Sequence, residues 1–225
     1  MKIDFHSHTN YSFDAWNSIS DIVRNAIKAN LGAIAITDHG EFEGAKKASE
    51  YVKAHDLRLA IIPGMEILTE YGEILGLFLT EKISSKVFAE SADEIHSQGG
   101  FVVIPHPFDF MRGSACNPEK LPKGLLSQAD GIEAFNARCT LPSMNKKAGE
   151  FALQNKINLT TAGSDAHFPF EIGAAWGEIP DGVEIDIALR KGLVAPKGKH
   201  TIPFVHGTTT WLKLARKAGM LRPKI

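Results

Sequence analysis

A chain of 225 residues with 44% hydrophobic residues, 23% charged residues and a formal net charge of −1 has the make-up of an ordinary folded protein, which excludes a disordered chain. The length fits one domain over residues 1–225, large enough to bury roughly 70% of its extended surface. The start MKIDFHSHTN lacks a leader pattern and no run of about 18 apolar residues occurs, so a cytoplasmic location without a membrane partner is expected.

Taken in chain order, the first strand, residues 2–8, ends in DFHSH. Residues i and i+2 of a strand share a face, so His6 and His8 present both rings to one point in space, either as the start of a chelate or as two surface histidines. Phe13 and Trp16 flank Asp14 in the next loop, where they either pack beneath it or stack on a flat substrate. Residues 19–30 have helical period, with Ser18 or Ser20 as the cap. The second strand, 32–39, ends in Asp38 and His39. Asp38 either orients a neighbouring imidazole or caps the following helix, 44–55. A strand over 57–67 carries Glu66 near its end, and YGEILGLFL at 71–79 pairs back on it through a short turn. A helix at 91–98 precedes the strand 101–107 with His106. The strand 131–137, the helix 141–155, the strand 157–167 with Asp165 and His167, and a last helix over 209–218 complete the pattern.

This alternation is that of an α/β protein with a largely parallel sheet. In such folds the C-terminal strand ends form the site, and here nearly every strand ends in a potential ligand. Charged and imidazole groups at so many ends would be costly to bury without partners or metal, so the pattern points to a polynuclear metal centre. Glu133 and Asn136 have opposite parity on their strand, so only one is expected to face inward; Asn136 is taken as the substrate-side group. His55, His96, His200 and His206 read as surface or helix-end residues. Cys116 and Cys139 have neither disulfide nor zinc spacing and read as free thiols. No Walker-type or GxGxxG loop is present.

Across the five motifs DFHSHTNYSFD at 4–14, ITDHG at 36–40, PGMEI at 63–67, IPHP at 104–107 and GSDAH at 163–167, the sequence resembles the polymerase and histidinol phosphatase (PHP) family of metal-dependent phosphoesterases. The resemblance implies a distorted (β/α)7 TIM-like barrel with metals at the C-terminal strand ends. It also implies that His6, His8, Glu66 and Asp165 hold one metal, that Glu66 bridges to a second that also takes His106, and that Asp14, His39 and His167 hold a third. The mixture of imidazole and carboxylate suits two or three divalent ions of zinc, manganese or iron. Some members carry a further histidine after the bridging glutamate. Phe78 or Leu79, in ILGLFLTE, is taken to stand at that place, which makes a binuclear centre the firmer expectation.

The chemistry so implied is hydrolysis of a small phosphomonoester or nucleotide by a metal-bridging hydroxide. Asp165 or His39 would relay a proton to the leaving oxygen. Arg112 and Arg138 follow strand ends at the same rim, and their planar forks suit phosphate oxygens; surface or salt-bridging roles are the alternative. The nine Lys and Arg residues after Asp186 have no acid among them, leaving −10 on the rest of the chain. That basic tail either balances the acidic body or holds nucleic acid, so an exonuclease trimming oligonucleotide ends is the second reading. Further alternatives are a non-catalytic binding subunit and C–N bond hydrolysis. Ammonia rather than phosphate would be released in the last case.

Overall fold

A computed structural model describes residues 1–201 and Thr209 of the chain. Its strands are β1 (Lys2–Asp4), β2 (Ala33–Ile36), β3 (Ala60–Thr69), β4 (Gly72–Leu77), β5 (Phe101–Ile104), β6 (Gly131–Asn136), β7 (Leu159–Gly163), β8 (Ala175–Glu178) and β9 (Ala195–Gly198). The helices are α1 (Ile19–Lys28), α2 (Glu43–Ala54), α3 (Phe88–Ser97), α4 (Lys123–Leu126), α5 (Pro142–Gln154) and α6 (Ile185–Arg190).

The strands lie in the order β7-β6-β5-β4-β3-β2-β1-β8-β9. Neighbours from β1 to β3 and from β5 to β7 pair in parallel, whereas β4 is antiparallel to both β3 and β5. Beyond the regular ladders, β1 and β7 meet and close the ring. The Phe5 N–H donates to the Ala162 carbonyl at 3.2 Å, the Asp165 N–H to the His6 carbonyl at 2.7 Å and the His8 N–H to the Ala166 carbonyl at 3.1 Å. Seven staves, one of them reversed, thus make the distorted TIM-like barrel that the sequence leads one to expect, with β8 and β9 added outside β1.

Period-two alternation divides the apolar side chains between two layers. Ala33 and Ala35 of β2 join Ile3, Leu75, Leu77 and Val103 in one cluster, while Ile34 and Ile36 pack with Ile22, Val23 and Ala45 of α1 and α2 in the other. Ala188 and Leu189 of α6 belong to the first cluster together with Phe101 and Leu159 at the starts of β5 and β7, so they lie at the end opposite the strand C-termini.

Local chemistry explains several element boundaries. The Ser18 hydroxyl accepts the Asp21 N–H at 3.1 Å and is the cap of α1. α3 starts earlier than expected, at Phe88, because that ring is fully buried and its N–H finds the Glu70 carboxylate at 2.8 Å. The first ladder stops at Asp4, since from Phe5 onward the backbone bonds the segment at 162–166. The short elements α4, α6, β8 and β9 are additions to the sequence reading. Most of the expected helix at 209–218, and His206, lie outside the described residues. Among the described residues no helix is long and apolar enough to cross a membrane.

Cys116 and Cys139 are both buried free thiols. Burial pushes the Cys116 thiol up to about 12 and raises Cys139 as well. Neither thiol is therefore expected to react with Ellman's reagent in the folded protein at pH 8, and both should react once guanidinium unfolds it; rapid labelling of native protein would contradict this packing.

Candidate metal centre

Glu66, on β3, is buried among four imidazoles from three other places in the chain. Its Oε2 lies 3.1 Å from His39 Nδ1, 3.3 Å from His8 Nε2 and 3.4 Å from His6 Nε2, and its Oε1 lies 3.2 Å from His106 Nε2. Asp165 Oδ1 faces His8 Nε2 at 3.4 Å and His6 Nε2 at 3.7 Å. Asp14 reaches His167 Nε2 at 3.3 Å with one oxygen and His39 Nε2 at 3.5 Å with the other. All eight residues expected as ligands therefore converge, as the sets His6–His8–Asp165, His6–Glu66–His106 and His8–His39–His167, with Asp14 beside the last.

An outer layer fixes the rings. Glu133 Oε1 meets His6 Nδ1 at 3.2 Å, the Ser12 hydroxyl oxygen meets His8 Nδ1 at 3.2 Å, and the Asp165 carbonyl accepts His167 Nδ1–H at 2.8 Å. The Ser12 hydroxyl in turn donates to Asp38 at 2.6 Å, and Thr9 donates to the same carboxylate through its N–H and its hydroxyl. Asp38 thus acts on His8 through Ser12, and it does not cap α2, whose N-cap is Phe42. With the Nδ1 protons assigned by these partners, the Nε2 lone pairs of His6 and His8 face each other at 3.1 Å. Two lone pairs at that distance repel unless a proton or a metal cation lies between them. His106 Nδ1 is buried without a hydrogen-bond partner among the described residues. The donor set therefore fits divalent ions.

The electrostatics agree. Burial opposes charge on Glu66 and Asp165, yet His6 and His39 around the first, and Arg112 and His6 around the second, hold both well below the usual carboxylate range. Burial, with His39 and His167 close by, pushes His8 down to about 3, leaving its ring neutral and able to donate a lone pair. Burial would also lower His6 and His39. Asp165, Glu133 and Glu66 around His6, and Glu66 and Asp14 around His39, instead raise both well above the ordinary histidine value. The carboxylates of this cluster demand positive charge at its centre. His106 and Asp165 also sit at φ of 30° and 54°, backbone strain of the kind found at functional sites.

Glu73 is a group that the sequence reading missed. In the β3–β4 hairpin Glu66 lies across from Leu75 and Leu68 across from Glu73, so Glu66 and Glu73 share a face. Glu73 lies 3.7 Å from His106 and 3.9 Å from His39, and groups with His39 and Glu66. Phe78, at φ 61°, packs on Phe101, and Leu79 belongs to the helix-side apolar layer, so neither stands at the ligand position assigned to it. A second correction concerns parity. The ladder of β6 slips between Glu133 and Phe135, and this bulge brings both Glu133 and Asn136 inward. Asn136 Nδ2 donates to Glu133 at 2.9 Å and to Asp165 at 3.3 Å.

The two arginines occupy different surroundings. Arg112 keeps 20% of its side chain exposed and donates from Nη1 to Asp165 Oδ2 at 2.6 Å. Arg138 is buried, lies 3.4 Å from Glu171 and donates to the Thr209 hydroxyl at 2.5 Å. Glu171 accepts the His167 and Phe168 N–H groups at 3.0 Å, so Arg138 braces the His167 segment. The Phe13 ring lies 5.3 Å from the His39 ring, tilted against it, and is half exposed rather than packed away. His96 pairs with Asp130 at the surface and His55 bonds the Tyr51 carbonyl, away from the centre.

Comparison with known proteins gives the same grouping. Residues 4–151 match the family model described as PHP domain, and residues 142–194 the model described as PHP-associated. MJ0417, an uncharacterized protein of Methanocaldococcus jannaschii, is 36% identical over 180 residues, which cover 78% of this chain and 69% of that protein. The 5′-3′ exoribonuclease Rnm of Escherichia coli is 38% identical over 66 residues, 29% of this chain and 22% of that one. A crystal structure of a two-domain protein containing a predicted PHP-like metal-dependent phosphoesterase, from Bacteroides vulgatus, shares the fold at a TM-score of 0.71 and 20% identity. The match covers 88% of this chain and 65% of that one.

Two expectations follow from the geometry. Protein purified without chelator should carry about two or more divalent ions per chain, and EDTA should lower its melting temperature; a chain that neither carries nor takes up zinc, manganese or iron would contradict the ligand set. Glu133→Gln places an amide nitrogen against an N–H donor, and should weaken metal binding about 10- to 100-fold in competition with a fluorescent chelator. Unchanged affinity would remove Glu133 from the support of His6.

Proposed function

The chain belongs to the PHP domain family, and on that premise we propose that it is a metal-dependent phosphoesterase acting on a small phosphomonoester or nucleotide. The observation that carries the reading is the buried Glu66 carboxylate with four imidazoles within 3.4 Å, beside an arginine fork at the mouth. His6, His8, Glu66 and Asp165 would hold one ion, Glu66 and His106 with Glu73 nearby a second, and Asp14, His39 and His167 a third. Zinc, manganese or iron bound there would polarise phosphoryl oxygens and lower the pKa of a bound water.

The chain's own residues supply the rest. Arg112 is the part-exposed cation positioned to meet a phosphate oxygen, and its fork suits two such oxygens. Asn136 holds the Asp165 oxygen that Arg112 also contacts, leaving the other oxygen directed at His6 and His8. Kept ionised, Asp165 is suited to accept a proton rather than to give one. His39, with 18% of its side chain exposed, is the imidazole that could protonate a leaving oxygen where the third ion is absent. A cavity of about 740 Å³ opens from His39, Glu66 and Glu73 between Phe13, Leu68 and Lys82, room for the organic part of a small ester.

The likeness to Rnm over 66 residues favours one second reading, trimming of oligonucleotide ends. Against it stands the net charge of −1 on the chain, which offers a polyanion no overall attraction. The proposed partner is thus a small phosphorylated molecule rather than nucleic acid or membrane, and the proposed location is cytoplasmic.

Phosphate release from sugar phosphates and nucleotides, together with nucleotide release from short oligonucleotides, with metal-loaded protein, tests both readings. The small-ester reading expects turnover of one monoester class, little dependence on salt, and loss of that turnover in Glu66→Gln. Oligonucleotide cleavage that falls steeply with salt would instead favour the second reading. Metal-loaded protein that releases neither phosphate from the monoesters nor nucleotides from the oligonucleotides would overturn both.

A further inference from the structure

The loop after β5 carries a buried anion for which the metal centre has no use as a ligand. Asp109 has no exposed surface and lies three residues after His106 and three before Arg112. Its N–H donates to the His106 carbonyl at 3.0 Å, and its carbonyl accepts the Arg112 N–H at 2.9 Å. Its Oδ2 accepts Arg112 Nε–H at 3.2 Å, the Thr140 N–H at 3.1 Å and the Thr140 hydroxyl at 3.2 Å. Thr140 follows β6, so a single oxygen ties two loops of the barrel rim to one guanidinium.

Arg112 is held on its other sides as well. Nη1 donates to Asp165 Oδ2 at 2.6 Å and Nη2 to the Arg138 carbonyl at 3.2 Å. A guanidinium is a planar fork, and what it offers a phosphate depends on the orientation of that plane. Gripping Nε from behind helps to fix the plane, with Nη1 turned to the centre at Asp165 and a second N–H on each terminal nitrogen left for a phosphate oxygen. A neutral side chain could hold Thr140 equally well without burying charge, so the pairing with Arg112 accounts for the carboxylate.

We propose that Asp109 is a positioning residue that aims the Arg112 fork at the phosphate of an ester bound at the metal centre. The proposal rests on the phosphoesterase reading above, and the test separates the two. Inorganic phosphate is titrated calorimetrically into metal-loaded protein, with metal content measured on the same samples. Asp109→Asn and Arg112→Met should each weaken phosphate binding by about tenfold or more when both are compared with the parent at equal metal content. Because Asp109 acts through Arg112, the double variant should bind phosphate no more weakly than Arg112→Met alone.

Phosphate affinity of Asp109→Asn within twofold of the parent overturns the assignment, whatever happens to its melting temperature. Should that variant fail to fold, Asp109→Glu, which keeps the charge but displaces the carboxylate by one methylene, decides: an about tenfold loss of phosphate affinity at equal metal content supports the proposal and affinity within twofold of the parent overturns it. Parent protein that holds metal yet binds no phosphate overturns the phosphoesterase reading itself.

Discussion

The structure is organised around one electrostatic constraint, a carboxylate removed from water among imidazoles. Glu66 cannot be buried alone, because an isolated buried carboxylate costs several kcal/mol. Nor can the surrounding rings all keep their lone pairs directed inward without a cation to receive them. Barrel closure, the reversed stave and the bulge each bring a charged or polar group to this point. The apolar layers on either side of the sheet hold the strands that deliver them.

Around that point the protein builds in shells. The inner groups face one another across the gap between strand ends, and the outer groups decide which nitrogen of each ring carries its proton. Glu133 does this for His6, Ser12 with Asp38 for His8, and the Asp165 carbonyl for His167. Gly163 belongs to the same arrangement. A methyl group there would meet the His6 Cβ and, at 2.7 Å, Glu133, so only glycine lets β7 approach the first histidines this closely. The left-handed backbone of His106 and Asp165 shows conformational strain at two of the inner groups as well.

Much of this was legible in the sequence. Parallel strands direct their C-terminal ends to one mouth, so His6, His8, His39, Glu66, His106, Asp165 and His167 could be read as convergent from strand position alone. Glu73 escaped because the rule inverts for an antiparallel stave. The end of β4 at the mouth is its start, and Glu73 is its second residue. Glu133 escaped because strict alternation allows only one of two residues three apart to face inward, and a bulge has no marker in GIEAFNA. The separate surroundings of Arg112 and Arg138 are tertiary facts: one meets Asp109 and Asp165, the other Glu171 and Thr209. Nothing in the local sequence distinguishes them.

Ring closure between β1 and β7 also governs when the centre can come into being. The bond from the Asp165 N–H to the His6 carbonyl joins segments 159 positions apart in the chain. During synthesis the leading histidines therefore leave the ribosome long before the groups that complete their surroundings. A nascent chain of 150 residues would hold HxH, His39, Glu66 and His106 with one wall of the cage missing. Ion capture at the finished centre would thus be a late event, coupled to the last stave docking.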